Sequence, residues 1–140
     1  MAAALTAAPL LAGAPATADS RVTASVDAYE RARDKYEAAK SAYIAKPQQK
    51  LTEWRVVSAL YTGANVNLSQ AKRNIRDQFR RDVAAANAAY RTASKLAKTA
   101  AAKAAALDSW NAAKAQAAIT RDADLNRLRT LSPLPGRPTR

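Results

Sequence analysis

Alanine supplies 38 of the 140 residues, and a methyl side chain fills space only where two backbones come close together. The 49% hydrophobic fraction is therefore mostly methyl groups, with one Phe and two Trp among the bulky side chains. A thick globular core is disfavoured, and thin packing between helices is favoured, because Ala is the strongest helix former. A chain of this length allows one small domain at most. From Ser20 onward nearly every segment has helical composition, and no run of alternating β-branched residues signals a strand. The expected fold class is all-α: an elongated antiparallel helical hairpin or a three-to-four-helix bundle, with coiled-coil-like Ala/Tyr packing.

Val22, Tyr29, Tyr36 and Tyr43 recur every seven positions with Ala32 and Ala39 between them, which predicts a first helix over 21–46 with an aromatic and alanine seam. Each ring is expected to cover an Ala-rich neighbour while its hydroxyl reaches the solvent edge, a packing role rather than ligand stacking. Pro47 ends or kinks this helix and suits the first position of a second, which carries Leu51, Trp54, Val57, Leu60 and Tyr61. Gly63 to Asn67 is expected as the main turn. Gly63 would take the left-handed conformation at a helix end, Asn67 would cap a third helix, and Gln70 would complete a capping box. That third helix carries Leu68, Ala71, Ile75, Phe79, Ala86, Tyr90, Ala93 and Ala97 on one face and is expected to pass Ala106. The later apolar set Trp110, Ala113, Ala117, Leu125, Leu128 and Leu131 leaves two alternatives open. Either the same helix continues, or a fourth starts at Asp108-Ser109 and folds back. Residues 132–140 hold Pro133, Pro135, Gly136 and Pro138, so the helical domain of 19–131 is expected to give way to a short, basic, disordered tail.

Residues 1–18 carry no charge, and the apolar run Ala2 to Ala12 precedes Gly13, Pro15 and the triplet Ala16-Thr17-Ala18. This is the pattern at the end of a secretory signal peptide, with cleavage before Asp19, although no Lys or Arg precedes Arg21 to form a basic n-region. The run is too short and too interrupted by proline and glycine to cross a bilayer. A chain without Cys needs no oxidative folding, which fits export and cytoplasm alike. The expected localisation is secreted or cell-surface, with a cytoplasmic chain carrying a disordered leader as the alternative.

The chain has no His and no Cys, which removes the common zinc, haem and iron–sulfur ligand sets and any Ser–His or Cys nucleophile. Three Glu occur, Glu30, Glu37 and Glu53, and none sits in a catalytic motif; no glycine-rich phosphate loop is present. No catalytic residue, metal site or cofactor is expected, and the protein is read as non-enzymatic.

Charge is the most informative feature: 23 Lys and Arg stand against 11 Asp and Glu, for a net charge of +12. Between Lys72 and Lys103 there are nine basic and two acidic residues. Arg73, Arg76, Arg80, Arg91, Lys95 and Lys98 fall within an arc of about 100° on a helix, opposite Ile75, Phe79, Ala86 and Ala93. Such a stripe suits a polyanion, since guanidinium forks pair with phosphate and counterion release gives sequence-independent affinity. The plainer alternative is a solvated helix face, but such faces mix signs more evenly. The first helix carries the opposite stripe, Asp27, Glu30, Asp34 and Glu37, expected either as a solvated, locally paired face or as a self-association surface docking on the basic stripe of another copy.

The reading that unites these features is a secreted, non-catalytic helical interaction or structural protein whose basic face binds an acidic protein or a polyanionic surface such as a cell-wall polymer. Two alternatives stand beside it: a cytoplasmic, histone-like protein binding nucleic acid without sequence preference, and a peripheral binder of anionic membranes.

Overall fold

The computed structural model describes residues 16–139, with side chains described from Ser20 onward. Most of the leader-like segment 1–18, including the run Ala2 to Ala12, lies outside the described residues. The fold is all-α. Helix α1 spans Ala16–Ala45, α2 spans Leu51–Leu96 and α3 spans Ala100–Arg127, with no strand among the described residues.

The heptad seam does organise α1. Val22, Val26, Tyr29, Tyr36 and Tyr43 are all buried, and they face Val57, Ala64, Ala71 and Ile75 of α2. Val22 and Val26 cluster with Ala71 and Ile75, whereas Tyr36 and Tyr43 cluster with Val57. The start of α1 thus meets the middle of α2, and its end meets the start of α2, the antiparallel order that a short connection dictates. The rings of Tyr36 and Tyr61 pack tilted with centroids 5.2 Å apart. The α1–α2 connection covers residues 46–50, so Pro47 ends α1 but does not open α2, which begins at Leu51. Lys46 bridges that connection, its Nζ 2.8 Å from Glu53 Oε1.

The expected turn at Gly63 to Asn67 is absent, because α2 passes straight through it for 46 residues. The Asn67 amide donates to the Gly63 carbonyl one turn back at 3.0 Å, and Gln70 donates to Asn74 Oδ1 at 2.9 Å, so the two residues expected in a capping box bond along the helix. One glycine in a helix costs only about 1 kcal/mol. Keeping Val57, Ala64 and Ala71 on one buried stripe against α1 outweighs it.

The helix also stops earlier than its alanine content suggests. Ala97 is extended, and Thr99 caps α3 by accepting the Ala102 N–H at 3.1 Å, so the break falls before Ala106 and not at Asp108-Ser109. Helix α3 folds back along the second half of α2. Trp110 stacks on Tyr90 at 4.5 Å and donates from Nε1 to Asn87 Oδ1 at 2.9 Å. The Lys114 ammonium sits 3.4 Å over the Trp110 ring, and the Arg121 guanidinium 4.4 Å over the Phe79 ring. Leu125 then reaches the Val22–Ile75 cluster, where the start of α1 and the end of α3 meet on α2. The molecule is two antiparallel hairpins laid end to end on one shared helix.

Leu128 and Leu131 are not helical, since α3 ends at Arg127. Residues 132–139 of the tail expected to be disordered are instead part of an ordered, extended segment, 128–139, which continues from α3 into the groove between α1 and α2. Leu131 and Leu134 pack on the Tyr36, Tyr43 and Val57 cluster.

Gly63 is exposed, has ordinary helical backbone, and a Cβ built there meets nothing within 4 Å. Gly63→Ala is therefore expected to raise unfolding stability by about 0.5–1 kcal/mol with no loss of helical circular dichroism. A turn glycine with positive φ would give the opposite sign.

Candidate functional site

The buried stripe of α2, Val57, Ala64, Ala71, Ile75, Gln78 and Ala86, faces α1 and α3, which leaves the opposite side of the helix uncovered. Arg73, Arg76, Arg80, Arg91 and Lys95 stand on that side, and all are exposed. They extend over about 33 Å at 1.5 Å per residue. Lys98 is exposed too, but it lies in the Ala97–Thr99 break rather than on the helix. Arg80 has a weak partner, Asp77 Oδ1 at 3.8 Å. Arg73 reaches only Gln70 Oε1 at 3.5 Å, and Arg91 the Asn87 carbonyl at 3.5 Å. No carboxylate pairs with Arg73, Arg76, Arg91, Lys95 or Lys98 among the described residues. The face is a row of cations available to an external anion, without a cleft in which a small substrate would be enclosed.

The acidic stripe of α1 is arranged differently. Arg127, in the last turn of α3, bridges Asp27 Oδ1 at 3.3 Å and Glu30 Oε1 at 3.5 Å. Glu37 accepts from the Ser132 N–H at 2.9 Å and from Ser132 Oγ at 2.6 Å. Among the described residues Asp34 pairs only with its neighbour Arg33, at 3.2 Å. Three of the four carboxylates on this face thus hold the C-terminal part of the same chain.

The Tyr29 and Tyr36 hydroxyls, expected at the solvent edge, are likewise turned inward on that segment. Tyr29 donates to the Arg129 carbonyl, Tyr36 to the Ser132 carbonyl at 2.9 Å, and Trp54 Nε1 to the Pro135 carbonyl at 2.8 Å. Lys40 donates to Ser132 Oγ at 3.0 Å and to the Pro133 carbonyl. Donors converge on carbonyls, and the fit has a chemical reason: Pro133 and Pro135 have no N–H of their own to satisfy. Tyr29, Tyr36, Lys40, Trp54, Leu131, Ser132 and Leu134 were not marked as a site by charge or motif. The available signal was Leu128, Leu131 and Leu134 at every third position running into Pro133 and Pro135, a spacing that helix and polyproline II share but that the prolines turn towards the latter.

Burial pushes the Tyr29 and Tyr36 hydroxyls above the ordinary phenol range. For Glu37 burial works upward, but the two Ser132 hydrogen bonds and the charges of Lys40 and Arg33 outweigh it and hold the carboxyl below its usual range. The contribution of Glu37 to docking is therefore complete above the unfolded value, roughly pH 4.3, and is lost as the pH falls through the lower folded one. The tyrosines act at the other limit, with stability lost as the pH rises above about 10. Hydrogen exchange at the Ser132 amide is expected to accelerate as the pH falls from 5 to 3, beyond the intrinsic pH trend, and Glu37→Gln is expected to remove most of that excess.

Comparison with protein families, with curated proteins and with solved structures gives no match, so the reading of function rests on the geometry of this chain's own residues.

Proposed function

We propose that this protein is a non-catalytic helical binding module, exported to the cell surface or beyond, that adheres through the outer face of α2 to a polyanion such as a cell-wall polymer or to an acidic protein surface. The observation that carries the reading is the exposed row Arg73, Arg76, Arg80, Arg91 and Lys95, with Lys98 just beyond it, on the side of α2 that neither α1 nor α3 covers. A row of this kind meets successive anionic groups along a polymer without selecting among sequences, and the release of their counterions supplies the affinity. The engagement of Asp27, Glu30 and Glu37 by Arg127 and Ser132 supports it further, because these acids are held on the chain's own segment rather than opposite the basic row.

Export rests on the Ala16-Thr17-Ala18 pattern. Cleavage before Asp19 would remove residues 16–18 from the start of α1 and leave the buried seam from Val22 onward whole. The mature amino terminus, sequenced from culture supernatant and from cell lysate, decides this part; an intact Met1 confined to the lysate would remove it.

Replacing Arg73, Arg76, Arg80, Arg91, Lys95 and Lys98 by Gln should abolish most binding to teichoic-type polymer. For the unaltered protein, five phosphate contacts imply a loss in affinity between 50 and 200 mM salt of roughly a hundred-fold on a single-chain polymer and several hundred-fold on duplex DNA. Titrations against the polymer, duplex DNA and anionic vesicles at several salt concentrations check both points. Unchanged binding by the six-fold variant would refute the role of this face, and a clear preference for DNA or vesicles would reassign the partner.

A further inference from the structure

The groove between α1 and α2 has the attributes of a peptide-recognition site with its ligand in place. Its aromatic donors, Tyr29, Tyr36 and Trp54, meet the carbonyls of residues 129, 132 and 135, every third one, while Lys40 reaches the Pro133 carbonyl between them. Leu128, Leu131 and Leu134, also every third, are the side chains turned onto the two apolar clusters. Three residues per turn is the period of the polyproline II helix, which rises about 9.3 Å per turn. Tyr29 and Tyr36, seven residues apart on α1, are separated by about 10.5 Å along the helix, so one heptad of α1 nearly matches one turn of such a chain. The ladder is also longer than the resident segment uses. Tyr43, the next rung, is buried at 3% exposure, and its hydroxyl has no partner among the described residues, while the Pro135 carbonyl accepts from Trp54.

We propose that this groove recognises extended, proline-rich segments of a partner protein that carry leucine at every third position, and that residues 128–139 are a built-in copy of that ligand which such a partner displaces. The surface is separate from the basic face of α2, and the proposal does not depend on polyanion binding. A partner chain is favoured over a second copy of this one by connectivity. Arg127 is tied to Asp27 and Glu30, and Leu128 is already packed on the Val22–Ile75 cluster. No slack is left for a second copy to lend its segment while keeping its own α3 in place. Residues beyond Leu128, in contrast, belong to no helix, so their departure breaks no helical hydrogen bond.

The test uses the full chain and a fluorescein-labelled peptide of residues 128–139, followed by anisotropy, with a scrambled peptide of the same composition as the control for charge. Leu131→Asp combined with Leu134→Asp frees the groove without altering it. This variant is expected to bind the peptide at least tenfold more tightly than the unaltered chain, to ignore the scrambled peptide, and to lose several-fold when Tyr36→Phe is added. A variant with intact helical circular dichroism that binds no more tightly than the unaltered chain, or binds both peptides alike, would overturn the proposal. If the double variant loses its helicity, Ser132→Ala decides, since it removes only the hydroxyl contacts to Glu37 and Lys40. Tighter peptide binding by Ser132→Ala supports the proposal, and unchanged affinity overturns it. Dimers of the unaltered chain that the peptide dissolves would make a second copy the occupant and overturn the assignment to a partner protein.

Discussion

A phenol hydroxyl taken out of water costs stability unless it finds an acceptor, and the carbonyls inside an α-helix are already committed to the turn that follows. Tyr29 and Tyr36 are fully buried between α1 and α2, so their hydroxyls depend on backbone from outside the helices. Residues 128–139 provide it. The segment brings carbonyls at the right period, few competing N–H groups and leucines that fill the apolar space beside the rings. In an alanine-rich protein the large buried side chains are few, and here the largest of them are arranged around this one extended strap.

The distribution of charge follows from the same arrangement. The acids of α1 face the strap and the end of α3, where Arg127 and Ser132 meet them. The basic row of α2 faces away from both neighbours, and among the described residues Arg80 alone of that row meets a carboxylate, Asp77 at 3.8 Å. Exposed ion pairs contribute little to folding, so leaving these cations unpaired costs the fold little.

Much of the architecture was legible in the sequence because heptad spacing survives from residue to packing: Val22, Tyr29, Tyr36 and Tyr43 lie on the seam where their spacing puts them. The helix boundaries were harder. Gly63 and Asn67 have the chemistry of a turn, but turn propensity is worth about 1 kcal/mol, and the continuous buried stripe of α2 overrides it. Thr99 stands beside a run of alanines whose high propensity masks it, yet its side chain caps α3 by accepting the Ala102 N–H, and the stacking of Trp110 on Tyr90 that holds α3 against α2 is a contact no local window contains. The C-terminal segment was misread for a related reason. Proline and glycine do signal the end of a helix, but whether the chain beyond is ordered depends on donors about 100 residues away, such as Tyr29 for Arg129 and Tyr36 for Ser132. The basic row was visible from spacing alone, apart from Lys98, which the break removes from the helix.

Because α2 is a single uninterrupted rod of 46 residues, about 69 Å long, the spacing of the groups along its back is set by helical pitch and not by any hinge. Whatever lies against that back is measured by a ruler that does not stretch. A stiff polymer would have to match its graduations, whereas a supple one would bend to them.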